Sequence, residues 1–124
     1  MTLRDVAGKL GLRAVAGVDA GEGGLDREVS GGYVSDLLSD VMAHACDGAI
    51  WVTTQAHQNI VAVSVLTGLA GVIVAGGIKP GDDTLKKAQD EGVPIFVSDL
   101  PAFEVVGSLY TMGLRGGVRS CQGT

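Results

Sequence analysis

The chain of 124 residues is 46% hydrophobic and 4% aromatic, and it carries a formal net charge of −5. A chain of this length forms one domain, because it can bury roughly 60–70% of its unfolded surface in a core of its own. The charges form no basic run or stripe, so the sequence argues against a nucleic acid or an anionic membrane as partner.

The cysteines and the apolar runs indicate where the protein works. The two cysteines, Cys46 and Cys121, are too few for a disulfide framework and predict reduced thiols. The start of the chain lacks the basic residues and long apolar core of a signal peptide. The longest apolar runs are far shorter than the about 20 residues that span a bilayer. We therefore predict a cytoplasmic protein without a membrane partner.

The first part of the chain predicts one helix and two strands. Residues 2–10 have helical apolar spacing, and Thr2 with Asp5 forms the pattern of a capping box. Residues 12–16 and 27–34 predict short strands on either side of a glycine-rich loop. We expect these two strands to pair with each other as an antiparallel ribbon.

The rest of the chain repeats strand, turn and helix. Ser35 or Asp36 is expected to cap a helix over 36–45. Strands then start about every 22–23 residues, at 49–52, 71–75 and 94–97, and helices follow at 59–66, 82–91 and 101–112. Continuous apolar strands are typical of a parallel sheet with helices on both faces. We predict a single α/β domain with a mostly parallel sheet over 1–114, followed by a flexible tail over 115–124.

The carboxyl ends of parallel strands are the expected place for a ligand. Three turns follow these strands, and each leads into a helix N-terminus with free backbone N–H groups. Hydroxyl and amide groups would form hydrogen bonds, glycines would let the backbone approach, and a lysine would pair with negative charge. The alternative is that these polar turns only cap helices and face water. The residues predicted to bind a ligand are Thr53, Thr54, Gln55, His57, Asn59, Gly76, Gly77, Lys79, Ser98 and Asp99.

The sequence gives the histidines and Cys46 no clear catalytic or metal-binding role. His57 could act as a general base or contact a ligand, but a residue in a turn before a helix is as easily a cap. His44 lies four residues after Asp40, which indicates a surface ion pair or an interface contact. The two histidines and Cys46 lack the spacing of a known metal site, and Cys46 is interpreted as a small buried apolar residue. We expect no metal and no cofactor.

Motifs of the common enzyme classes are absent from the sequence. It contains no G-x-x-x-x-G-K-[ST] phosphate loop, no G-x-G-x-x-G turn between strand and helix, and no G-x-S-x-G elbow. An enzyme would require a perturbed His57 with a carboxylate such as Asp99 in reach. The sequence therefore predicts a protein without catalytic activity.

One pattern covers nearly the whole chain. Asp26-Arg27 precedes Gly31-Gly32, and the segment YVSDLLSDVM follows. The pattern continues through WVTTQAHQNIVAV, GVIVAGGIKP, GVPIFVSD and AFEVVGSLYTMGL, up to about residue 114. In these segments the chain resembles the DRTGG domain, a family of about this length. Here the name-giving motif reads DREVSGG, without the threonine.

The resemblance implies an accessory or regulatory module. DRTGG domains occur attached to CBS-domain pairs, to cobyrinate-synthase-like ATPase domains and to phosphate acetyltransferases. Their fold is similar to the N-terminal domain of HPr kinase/phosphorylase. Stand-alone members are often labelled "serine kinase" because of this similarity. That label does not transfer to this chain, because the kinase's phosphate loop belongs to its other domain. Single-domain members that resemble this chain are associated with anaerobes and iron-only hydrogenase systems.

Two functions are consistent with these observations. The first is a non-catalytic regulatory module that senses a small anionic ligand, such as a nucleotide or a phosphorylated metabolite. The second is a protein-interaction subunit of a redox or hydrogenase-associated system with no small ligand. Such a subunit would use an apolar surface to bind a second copy, since homodimers are the commonest assembly, or to bind another protein. The apolar residues expected on its interface are Leu37, Leu38, Val41, Met42, Phe103, Val106, Leu109, Tyr110 and Leu114.

Overall fold

The computed structural model describes residues 1–18 and 24–118. The strands are β1 (Arg13–Ala16), β2 (Gly31–Val34), β3 (Ala49–Thr53), β4 (Gly71–Val74) and β5 (Ile95–Val97). The helices are α1 (Leu3–Leu10), α2 (Leu38–His44), α3 (Asn59–Thr67), α4 (Asp82–Glu91) and α5 (Ala102–Thr111), with a short 3-10 helix at Gly24–Asp26. Each predicted helix and strand is present, with ends that differ by up to four residues.

The strands form one sheet in the order β1-β5-β4-β3-β2. The four strands β2 to β5 are parallel to one another, and β1 runs antiparallel to β5 at the edge. The predicted fold class, a single α/β domain with a mostly parallel sheet flanked by helices, is confirmed.

The predicted pairing of the two N-terminal strands with each other is wrong. β1 pairs with β5 at one edge of the sheet, and β2 pairs with β3 at the other. The residues before β2 bond instead to the start of the chain. Leu3 donates its N–H to the carbonyl of Arg27 (3.0 Å), and Val29 donates to the carbonyl of Met1 (2.8 Å). These bonds use the backbone groups that an antiparallel ribbon would need.

Helices cover both faces of the sheet. The helices α2, α3 and α4 pack on one face, and α1 and α5 pack on the other. Successive side chains of β3 point to alternate faces of the sheet. Trp51 belongs to the core under α2–α4, whereas Ile50 and Val52 belong to the core under α1 and α5. All three are buried. None of the helices in the described residues has the length and apolarity that a membrane span requires.

Local signals set most helix ends. The predicted capping box is present, because Thr2 Oγ1 accepts the N–H of Asp5 (3.2 Å) and Asp5 Oδ2 accepts the N–H of Thr2 (3.0 Å). Gly68 and Gly92 end α3 and α4 in the left-handed conformation.

The start of α2 differs from the prediction. Neither Ser35 nor Asp36 caps this helix; the N-cap position is Leu37, which makes no side-chain cap hydrogen bond. Ser35 Oγ accepts the N–H of Leu37 (3.1 Å) in the turn before the helix. The carboxylate of Asp36 bonds to the end of β3, so it is not available to the helix.

The segment 115–118 adds to the edge of the sheet at β2. The backbone of Gly32 donates to the carbonyl of Arg115 (2.9 Å) and accepts from the N–H of Gly117 (2.7 Å). This part of the predicted tail therefore packs on the domain. The remainder of that tail, including Cys121, lies outside the described residues.

Candidate functional site

The carboxyl ends of β3, β4 and β5 lie side by side, because the three strands are adjacent and parallel. The turn after β4 is bonded to the turn after β5. Gly76 donates its N–H to the carbonyl of Leu100 (2.7 Å), and Gly77 donates to the carbonyl of Ser98 (2.9 Å). Both glycines have positive φ, 79° and 73°, which residues with a side chain rarely adopt. These predicted site residues therefore shape the edge of the sheet.

The turn after β3 reaches the same place. A Cβ built on Gly76 would lie 4.0 Å from the methyl carbon of Thr54, and one on Gly77 would lie 3.7 Å from Asp99 Oδ1. Asp99 is exposed, whereas Ser98 is half-buried and accepts a backbone N–H through its hydroxyl. The three predicted turns are thus neighbours in the fold.

The polar side chains after β3 are bonded to Asp36. Its carboxylate accepts the hydroxyl of Thr53 (2.8 Å), the hydroxyl of Thr54 (2.6 Å) and the N–H of Thr54 (2.7 Å). Gln55 donates its side-chain amide to the carbonyl of Asp36 (3.2 Å), and its N–H to Thr53 Oγ1 (3.1 Å). The N–H of Thr54, followed by its hydroxyl, contributes most to lowering the pKa of Asp36 below its usual value.

Those bonds change the interpretation of three predicted ligand contacts. Thr53 is completely buried, and its hydroxyl both donates to Asp36 and accepts from Gln55. Thr54 and Gln55 are half-buried, and their side chains also bond to residue 36. The three residues hold the turn in shape through their bonds to residue 36.

His57 and Asn59 lie on the exposed side of the same turn. The Nδ1 atom of His57 accepts the backbone N–H of Asn59 (3.1 Å). An accepting Nδ1 carries no proton, so the neutral ring has its proton on Nε2. His57 therefore caps the first turn of α3, and its Nε2 and the side-chain amide of Asn59 make no hydrogen bond with any described residue.

A cleft of about 480 Å³ lies between the starts of α3 and α4. Thr84 closes its base by donating its hydroxyl to the carbonyl of Ala56 (2.8 Å). The N-cap of α4 is Gly81, which offers no side-chain cap. Lys79 is exposed two residues before Gly81 and pairs with no carboxylate in the described part of the chain. The lining residues are Ala56, His57, Gln58, Gly81, Asp82, Asp83 and Thr84.

Arg13 also lies at this edge, although the sequence did not suggest it. In the antiparallel pairing it stands opposite Val97, the last residue of β5. A shallow cleft of about 230 Å³ beside it includes Ser98 and Asp99. An antiparallel strand begins where its parallel neighbours end, so the correct pairing of β1 would have predicted this cation.

The two histidines have separate surroundings. No hydrogen bond joins His57 to Asp99 in the described structure. Nδ1 of the exposed His44 lies 3.1 Å from Oδ1 of the half-buried Asp40 on α2. Within residues 1–18 and 24–118, no three His, Cys, Asp or Glu side chains are grouped to hold a metal.

The motif that carried the resemblance has mainly structural contacts. Asp26 pairs with Arg4 at the surface (3.3 Å). Arg27 donates to the carbonyl of Gly68 (2.7 Å) and to that of Leu69 (3.2 Å), which fixes the end of α3. A side chain at Gly31 would lie 2.8 Å from a carbonyl oxygen of segment 115–118.

Comparisons with known proteins support the fold. No protein-family model matches the sequence, and no curated protein matches it. Among solved structures, the chain is similar to the CBS and DRTGG domains of the regulatory region of Clostridium perfringens pyrophosphatase, complexed with the activator diadenosine tetraphosphate. The TM-score is 0.61, and 16% of the residues are identical.

The match covers 87% of this chain but 47% of the other. The chain thus spans about half the length of that structure. At this identity the likeness concerns the fold, which is DRTGG-like.

Proposed function

We propose that the protein is a non-catalytic regulatory module that binds a small anionic ligand at the carboxyl edge of its sheet. A nucleotide or a phosphorylated metabolite is the expected ligand class. The observation that supports this most directly is the meeting of three turns at one edge. There, Lys79, His57 and Asn59 expose polar groups that bond to no described side chain.

The distribution of charge at this edge suits a nucleotide better than a bare phosphate. Lys79 offers a cation, but Asp82 and Asp83 line the adjacent cleft and would repel a phosphate placed deep inside it. Carboxylates accept hydrogen bonds from ribose hydroxyls and from the amino groups of bases. We therefore expect the phosphate near Lys79 and the sugar or base in the cleft between α3 and α4.

The similar structure agrees with this ligand class. That regulatory region was crystallised with a nucleotide activator, diadenosine tetraphosphate. The two chains share a fold at 16% identity, so the similarity supports the class of function, and the ligand must be identified by experiment.

Thermal melting and isothermal titration with AMP, ATP and diadenosine tetraphosphate test the proposal. A ligand at 100 times its Kd stabilises the native state by about 2.7 kcal/mol, which gives a clear rise in Tm. Lys79→Ala should weaken binding by about tenfold through loss of a charge-assisted contact. Lys87→Ala, at an exposed position of α4, is the matched control and should leave the affinity unchanged.

Two results would contradict the proposal. The first is no stabilisation by any of the three nucleotides. The second is an equal loss of affinity in both lysine variants, which would indicate a nonspecific charge effect. Recovery of the nucleotides unaltered, measured by phosphorus NMR, checks that the module does not hydrolyse them.

A protein-interaction subunit is the second candidate function. The side chain of Phe103 is 84% exposed on α5, and that of Leu37 is 63% exposed just before α2. Large apolar residues with this exposure mark contact surfaces when they cluster. Three of the predicted interface residues, Val41, Leu109 and Leu114, are buried in the core. The candidate surface is thus reduced to the outer sides of α2 and α5, which lie on opposite faces of the sheet.

Light scattering over a range of concentrations tests this second candidate. Formation of a homodimer that Phe103→Ser disrupts would support it. Val65→Ser is the control, because Val65 is also an exposed apolar residue but lies on α3. A strict monomer at high concentration would exclude the homodimer.

A further inference from the structure

An apolar cavity lies under α5, on the sheet face opposite to α2, α3 and α4. Its volume is about 160 Å³. The floor is formed by β2 and β3, the wall by α5, and the end by the segment that follows α5. The side chains that matter most are Val34, Val52, Val106, Leu109, Tyr110 and Leu114.

Gly32 leaves part of this cavity open, because it has no side chain. Gly32 stands beside Ile50 in the register of β2 and β3, and Ile50 belongs to the core under α5. A Cβ built on Gly32 would meet no atom within 4 Å, and its φ is not in the left-handed region. Neither steric crowding nor backbone conformation requires glycine at this position.

The neighbouring Gly31 shows the contrast. Its Cβ would lie 2.8 Å from the carbonyl oxygen of Arg115 and 2.9 Å from the Cα of Gly117. Gly31 is therefore needed for segment 115–118 to pack. Gly32 leaves space that an alanine or valine would fill, and strands favour valine.

One charged residue borders this apolar space. The guanidinium of Arg115 lies 3.8 Å from the centre of the Tyr110 ring. Its Nη1 donates to the carbonyls of Tyr110 and Leu114, both at 3.0 Å. A guanidinium has five N–H groups, and the described residues provide no carboxylate partner for Arg115. Its other N–H groups can therefore receive an anionic group.

We infer that this cavity binds a small aromatic monocarboxylic acid, with the ring in the space beside Gly32 and the carboxylate on Arg115. An apolar cavity of about 150 Å³ accommodates benzene, so the volume fits one aromatic ring. The lining is apolar and Arg115 is its single charged residue, so a ligand with one negative charge is complementary to it. This site is separate from the carboxyl edge and does not depend on the nucleotide proposal.

Methyl-resolved NMR of the full chain with benzoate and benzyl alcohol tests the inference. Benzoate should shift the methyl signals of Val34, Val106 and Leu114 and show nuclear Overhauser effects from its ring protons to them. Arg115→Gln should weaken benzoate by about fivefold and leave the neutral benzyl alcohol nearly unchanged. Lys87→Gln, which removes an exposed cation of α4 on the other face of the sheet, is the control.

Filling the cavity gives the second arm of the experiment. Gly32→Val should weaken both compounds by about tenfold or more, because the side chain occupies the space for the ring. Gly32→Ala should give a smaller effect in the same direction. If Gly32→Val does not fold, the Overhauser effects in the unaltered protein show whether the benzoate ring lies in the cavity.

Three results would overturn the inference. One is the absence of methyl shifts up to the solubility limit of benzoate. Another is unchanged benzoate affinity in a folded Gly32→Val variant. The third is that Gly32→Val dissociates a dimer, which would show that a side chain from a second copy fills the cavity.

Discussion

The turn after β3 lies at the carboxyl edge of the sheet and the cavity lies under α5, and the two places differ in how completely they are filled. In the turn, the hydroxyls of Thr53 and Thr54 bond to Asp36. In the cavity, the position of Gly32 leaves open space among apolar side chains. A dense set of polar residues can thus form its hydrogen bonds within the protein, while a missing side chain can leave room for a ligand.

Two of the glycine pairs in the chain, Gly31-Gly32 and Gly76-Gly77, follow the same contrast. Gly76 and Gly77 have positive φ, so their backbone conformation requires glycine. Gly31 is required by the close approach of another segment, whereas Gly32 is required by neither reason. Glycine is thus explained by backbone conformation at Gly76 and Gly77, by close approach at Gly31, and by neither at Gly32, where it leaves open space. Single substitutions can test each explanation separately.

The largest expected effect comes from Gly31→Ala. The added methyl would contact backbone atoms of segment 115–118, and such overpacking typically costs about 2 kcal/mol. Urea unfolding should show a lower midpoint with little change in slope. Gly32→Ala is the matched control, and it should stay within about 0.5 kcal/mol or raise stability. Equal losses in the two variants would remove the distinction between these neighbours.

A smaller loss is expected for Asp36→Asn. The asparagine keeps one acceptor oxygen but loses the charge that strengthens its bonds to the turn, so we expect a cost of about 1 kcal/mol. Asp99→Asn is the control, since Asp99 is exposed at the neighbouring turn and makes no hydrogen bond with a described residue. Urea unfolding measures both. If Asp36→Asn leaves the free energy of unfolding unchanged, the carboxylate does not hold the turn.

The smallest effect is a loss of stability in acid. Hydrogen bonds lower the pKa of Asp36 below its usual value of 3.8. A lowered pKa in the native state stabilises the fold above the unfolded-state pKa, and this contribution disappears as the pH falls through the native-state pKa. Unfolding midpoints measured below pH 4 should therefore fall less steeply for Asp36→Asn than for the unaltered protein. Identical pH profiles would contradict this role.

Regular elements could be predicted from the sequence because their signals are local. The capping box of Thr2 and Asp5, and the glycines after α3 and α4, act within a few residues. The parallel sheet was also predictable, because each of its strands is a continuous apolar run that is visible in the local sequence. The partner of β1 could not be predicted, because that choice depends on bonds between the chain start and residues 27–29.

The meeting of the three turns was predictable, but the bonds within them were not. The order of strands and helices placed three turns at one edge, and the structure brings them together. Asp36 bonds to residues 17 and 18 positions further along the chain, and no local pattern reveals such a contact. The cavity escaped prediction for another reason: the sequence shows which side chains exist, but empty space arises only from packing.

The backbone bonds between Gly32 and segment 115–118 couple the cavity to the end of the domain. Leu114, Arg115 and Gly116 line the cavity and also lead into that segment. Occupancy of the cavity and docking of the segment are therefore linked equilibria, and each must change the other by the same free energy. Arg115 and Gly116 form one end of the cavity, so detachment of the segment would remove that end and weaken binding.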